Sequence, residues 1–93
     1  MHEASLMADL IRTITALAAR EHAQKVTWVQ VSLGALSHIS REHFRLHFTQ
    51  AALGTIAEGA RLDILERTDV TETHAQDVQL TSIEVESDSC PSP

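Results

Sequence analysis

The hydrophobic period of this chain switches from helical to extended within its first third, and that switch constrains the fold more than any other feature. Leu6, Met7, Leu10, Ile11, Ile14, Leu17 and Ala18 recur at three- and four-residue intervals, with Asp9, Arg12, Thr13, Arg20 and Glu21 outside that stripe. The spacing predicts an amphipathic helix from Ser5 to about His22. Glu3 and Asp9 stand towards the positive end of its dipole, and Arg20 and His22 towards the negative end. From Lys25 to Leu33 the period becomes two: Val29, Val31 and Leu33 share one face, and Trp28, Gln30 and Ser32 the other. That pattern predicts a strand with one buried face, ended by Gly34. Trp28, on the opposite face, either covers part of the sheet or meets a partner.

The period then returns to helical. Ser40 reads as an N-cap with Glu42 in the first turn, and Phe44, Phe48, Ala51 and Ala52 form the buried stripe of a helix from Arg41 to about Leu53. Gly54 stands where a helix often ends on a left-handed residue. Two further strands follow, Arg61 to Glu66 and Val78 to Glu86. In the last strand the apolar phase slips by one between Leu80 and Ile83, which predicts a bulge near Thr81-Ser82. Arg67 to Asp77 is polar and patternless, a loop or an overlong hairpin connection, and Ser87 to Pro93 reads as a frayed tail. The order α-β-α-β-β predicts an α+β fold in two layers, with two helices packed on one face of a three-stranded sheet. One domain over residues 1–86 is the expected organisation, since 93 residues leave no room for a second core.

Composition narrows the function. A net charge of −6, from thirteen acidic and seven basic residues, opposes binding to nucleic acid or to an anionic membrane surface. No run approaches the roughly 20 apolar residues of a membrane span, and Met1-His2-Glu3 is unlike the basic start of a secretory signal. A cytoplasmic location is therefore expected. The single cysteine, Cys90, cannot form an internal disulfide or a zinc site that needs two thiolates, so no zinc is expected. Gly34, Gly54 and Gly59 are isolated from one another and form no phosphate loop, and no serine sits in a nucleophile elbow. Enzymatic activity is not expected. Exposed Trp28 and two sheet edges leave self-association open.

Histidine is the over-used residue, with six in 93. His43 and His47 are four apart on the second helix and share a face, either as a solvated or partner-facing pair or as two ligands of a metal, for which neither a third ligand nor an HExxH glutamate accompanies them. His38 and His74 fall in loops. His2 differs, because the α-amine of Met1, the amide nitrogen of His2 and its imidazole Nδ1 can close adjacent chelate rings on one metal. The amide of Glu3 could complete four nitrogens in a plane, a geometry that suits Ni(II) or Cu(II) and not Zn(II).

These residues, taken together, resemble the HypA/HybF family of nickel-insertion accessory proteins for nickel–iron hydrogenases. Met1-His2-Glu3-Ala4-Ser5-Leu6 is similar to that family's opening MHE-x-S-L. Gly34-Ala35-Leu36-Ser37, with Glu42, Phe44-Arg45 and Phe48, is similar to its central segment. Gly54-Thr55-Ile56-Ala57-Glu58-Gly59-Ala60-Arg61-Leu62-Asp63-Ile64 follows its G-T-x-A-E-G-A-x-L-x-I block, and Ser82-Ile83-Glu84-Val85-Glu86 its last strand. The resemblance implies a nickel metallochaperone that takes Ni(II) at Met1, His2 and Glu3, works with a maturation GTPase and delivers metal to the hydrogenase large subunit, or in some cases serves urease. It also marks three departures, one of them Arg41-Glu42 where the family opens its second helix with Pro-Glu. Family members carry a zinc module of two CxxC pairs where this chain has only residues 67–77. Ser40 stands where some relatives place an acidic residue near the nickel site. A zinc-less adaptor that binds the same partners without carrying metal is the alternative reading.

Overall fold

The computed structural model describes residues 3–37, 39–71 and 77–87. Its elements are α1 (Glu3–Arg20), β1 (Ala23–Leu33), α2 (Arg41–Ala52), β2 (Arg61–Glu66) and β3 (Val78–Ser87). The chain folds as the periodicity predicts, into an α+β domain with two helices over a three-stranded sheet. The sheet order is β2-β1-β3, with β1 parallel to β2 and antiparallel to β3. The α1 helix lies over β1 and β3, and α2 lies between α1 and β2.

That order corrects the hairpin reading of the segment between β2 and β3. The two strands do not pair. The chain leaves one edge of the sheet after Glu66, passes the end of β1 and returns at the opposite edge. Two backbone bonds pin this crossing to the end of β1: Arg67 N donates to the Leu33 carbonyl (2.8 Å), and Gly34 N donates to that of Asp77 (2.9 Å). Opposite edges lie two strand spacings apart, roughly 10 Å, so a two-residue turn could not have joined them.

Val26, Val29, Val31 and Leu33 of β1 and Leu62 and Ile64 of β2 form the floor of the core. Met7, Leu10, Ile14 and Ala18 of α1 and Phe44, Phe48 and Ala52 of α2 close it from above. Val26 and Val29 are three apart yet both fully buried, because Val26 pairs with Val85 and Trp28 with Glu84, which leaves Thr27 as an extra residue on β1. On β3, Gln30 pairs with Ser82 and Val31 with Leu80, so Thr81 is the bulged residue predicted by the phase slip. Its hydroxyl donates within reach of both the Gln30 carbonyl (3.1 Å) and Gln30 Oε1 (2.9 Å).

The helix ends follow their chemistry. Ser40 Oγ accepts from the His43 N–H at 3.1 Å and caps α2. Gly54, at φ 76°, takes the left-handed conformation after that helix, and its N–H donates to Glu58 Oε1 at 2.9 Å. The first helix ends earlier than its periodicity suggests. It stops at Arg20, and His22 lies beyond it in the left-handed region at φ 55°, not in the last turn. Tightened turns from Glu21 N to the Ala18 carbonyl and from His22 N to that of Ala19 break the α ladder there and turn the chain into β1.

Candidate functional site

Of the three residues predicted to take metal, Met1 and His2 lie outside the described residues, as do His38, His74, Cys90 and the rest of the tail beyond Ser87. Glu3 is the first residue of α1. The first four N–H groups of an α-helix have no partner within it, so the Glu3 amide is not committed to the helical ladder.

A groove of about 610 Å³ runs between the two helices, lined by Met7, Ala8, Ile11 and Arg12 of α1 and by His47 and Ala51 of α2. Its α1 wall begins one helical turn past Glu3. The Arg12 guanidinium is held at 2.8 Å by Asp9 one turn back, an exposed pair that offsets the positive charge on that wall. On α2 the polar residues divide by flank about the buried Phe44 and Phe48. Arg41 and Arg45 reach across to β2, donating to the carbonyls of Ile64 (3.1 Å) and Leu62 (2.9 Å), and Arg41 also lies 3.5 Å from the Glu66 carboxylate. His47 lines the groove on the flank towards α1, and its ring centroid lies 6.2 Å from that of the exposed His43, with planes nearly perpendicular at 82°. Among the described residues, no three His, Cys, Asp or Glu side chains gather as a metal site.

A smaller polar recess of about 260 Å³ opens at the carboxyl ends of β1 and β2, beside Leu33, Ser37, Ser40, Glu66 and Arg67. The Arg67 guanidinium donates to the Asp77 carbonyl at 2.7 Å and ties together the two ends of the segment between β2 and β3. Within that segment the Asp69 carboxylate accepts from both the N–H and the hydroxyl of Thr71, which holds its pKa below the usual carboxylate range. Trp28 lies on the face of the sheet away from the helices, half-buried, with its indole N–H donating to Asp63 Oδ2 at 3.1 Å. The cross-strand bond shows Trp28 covering part of the sheet.

Fold and surface together define a small two-layer α+β domain with one imidazole, that of His47, in a groove between two helices. The family described as "Hydrogenase/urease nickel incorporation, metallochaperone, hypA" matches residues 1–92. The hydrogenase maturation factor HypA of Archaeoglobus fulgidus is 42% identical over 71 residues, 75% of this chain and 64% of that protein. That of Chlorobium phaeobacteroides is 37% identical over 75 residues, 81% of this chain and 66% of that protein. The solution structure of the Ni metallochaperone HypA from Helicobacter pylori superposes with a TM-score of 0.80 at 20% identity, over 95% of this chain and all of that one, a likeness of fold. The chain belongs to the HypA hydrogenase/urease nickel-incorporation family. It spans a little under two-thirds of the length of these two curated relatives.

His47 and the groove it lines were only half visible in the sequence. The i,i+4 spacing put the two imidazoles on one face of α2, but nothing in the pattern said that this face would turn to α1. The signal available was the arginine spacing: Arg41 and Arg45 occupy the other flank, and they are long enough to reach strand carbonyls.

Proposed function

We propose that this chain is a nickel metallochaperone-like accessory protein for the maturation of nickel–iron hydrogenase, and that it binds Ni(II) at Met1, His2 and Glu3. The family match, which includes the opening Met1-His2-Glu3, carries the reading. The chemistry of the terminus supports it. An amine, an imidazole and two deprotonated amides give Ni(II) four nitrogens in a plane. The two amide charges neutralise the metal, so the complex meets no repulsion from the positive end of the α1 dipole. Nickel is cargo here and no bond-making step is asked of the protein. It hands the ion to the hydrogenase large subunit in concert with a maturation GTPase, in the cytoplasm.

The experiment is a Ni(II) titration of protein with a free N-terminus, followed by calorimetry and by the visible absorption of square-planar nickel. His2→Ala should abolish the band and weaken the tight equivalent by upwards of about 10²-fold, since loss of even an outer-shell partner costs about 10–100-fold. Extending the terminus by two residues should have the same effect, because it displaces the amine. Equal binding by the native and His2→Ala proteins would overturn the site.

The short span between β2 and β3 favours a second reading: an adaptor that docks on the same partners without metal. Copurification with a hydrogenase subunit that survives His2→Ala, in protein that binds no nickel, would decide for it.

A further inference from the structure

We infer that His43 and His47 form a second, weaker transition-metal site on α2, which takes a divalent ion of the Ni(II) class through two imidazole nitrogens and solvent. The site stands on its own geometry and does not rest on the N-terminal reading. One helical turn separates the residues, and their ring centroids already lie 6.2 Å apart. Metal–imidazole bonds of about 2.0–2.1 Å from two adjacent positions would bring the centroids to roughly 4–5 Å. Closing that gap needs a shift in χ1 of the exposed His43, which moves the ring centroid, and the broad χ2 torsion then turns a ring nitrogen towards the shared ion.

The surroundings favour a cation. Both arginines of α2 are drawn to the opposite flank by β2 carbonyls, and Arg12 across the groove is paired with Asp9. The chain as a whole carries a charge of −6. Imidazole suits nickel, copper and zinc, and two neighbouring ligands with open positions form a site that an ion can enter and leave. The groove wall on which His47 sits reaches α1 at Met7 and Ala8, one turn from Glu3. The second site therefore lies on the same side of the molecule as the start of α1, where a departing or arriving ion would meet it.

The test uses the full chain carrying His2→Ala, so that a terminal site contributes nothing, titrated with Ni(II) and read by calorimetry and by NMR of the histidine ring protons. One weak equivalent is expected, with paramagnetic broadening of the His43 and His47 rings together. Adding His43→Gln or His47→Gln singly should weaken it by more than about tenfold, since the second imidazole acts as an intramolecular ligand. Adding both should remove it. In the native background, His43→Gln with His47→Gln should leave the square-planar band of the terminal site unchanged, which separates failure of one site from failure of the other. Broadening centred on another histidine, or an equivalent that survives both glutamines, would overturn the inference. Both positions are outside the buried core, and an unchanged circular dichroism spectrum would confirm that the variants fold.

Discussion

Gly54 is a residue whose identity is set by backbone conformation alone. Its φ of 76° lies in the left-handed region, and a Cβ added there would meet nothing within 4 Å. The cost of a side chain is therefore pure backbone strain, with no clash to confuse it. Gly54→Ala should lower stability by about 1–2 kcal/mol, the per-residue penalty of a left-handed L-residue, in urea unfolding with an unchanged slope. A loss above about 3 kcal/mol would mean that the turn itself had been displaced, together with the Glu58 carboxylate that accepts from the Gly54 N–H. His22 takes the same region at φ 55° without being glycine. This contrast explains why one helix end could be read in advance and the other could not. Glycine after an apolar stripe announces a left-handed cap, while a histidine there looks like one more favourable last-turn cation. The candidate terminal site has the same character at its own scale. Met1 and His2 are legible as chelators because the chemistry is local, a chain of adjacent nitrogens needing no tertiary contact. His43 and His47 are legible as a pair, but the place of His47 in the groove beside α1 is a packing outcome.

At the scale of an element, the bulges decide which side chains face the core. Leu80 and Ile83 are three apart but both pack on the core, because Thr81 is the extra residue opposite the Gln30–Val31 step. Deleting Thr81 would place Leu80 and Ile83 two apart, the spacing of a regular strand, with every apolar side chain still inward. The deletion should therefore be tolerated, at about 1–2 kcal/mol for the lost hydroxyl bonds. Deleting Glu84 should be far worse. It would put Ile83 and Val85 on opposite faces and expose one of them, so that protein lacking Glu84 should unfold at much lower urea concentration than protein lacking Thr81. Equal midpoints would refute the bulge assignment. This slip was readable because the strand's apolar residues record their own phase. The matching irregularity on β1 was hidden, since Val29, Val31 and Leu33 alternate cleanly and Val26 shows its inward turn only once Thr27 is seen to be extra. Strand order was hidden for a different reason. Period reports which face is buried and says nothing of which neighbour a strand takes, so the sequence left the segment between β2 and β3 open to a hairpin that the sheet does not contain.

For the whole molecule, one side chain joins both layers. Phe44 is completely buried, projecting from α2 into the cluster shared by α1, β1 and β2. A domain of 93 residues holds together by roughly 5–14 kcal/mol. Phe44→Ala removes a large buried side chain and leaves a cavity that rigid strands below and a capped helix above can only partly close, a change that typically costs about 3–5 kcal/mol. That is from about a fifth of the total to the whole of it. The α1–α2 groove leans on the same packing, because with Phe44 gone α2 keeps only Phe48 and Ala52 in the core, and the His47 wall of the groove is held less firmly against α1. Two measurements should then part company. The unfolding midpoint should fall steeply in Phe44→Ala, whereas Ni(II) binding at a purely local terminal chelate should stay close to native as long as the protein is mostly folded. The pairing of His43 with His47 is also local to one helix and should survive with α2, but the contact of His47 with the α1 wall should loosen, seen as altered chemical shifts for Ile11 and Ala51. If terminal nickel binding instead weakened in proportion to stability, the chelate would have to include a ligand supplied by the folded core, and the site would extend beyond Met1, His2 and Glu3.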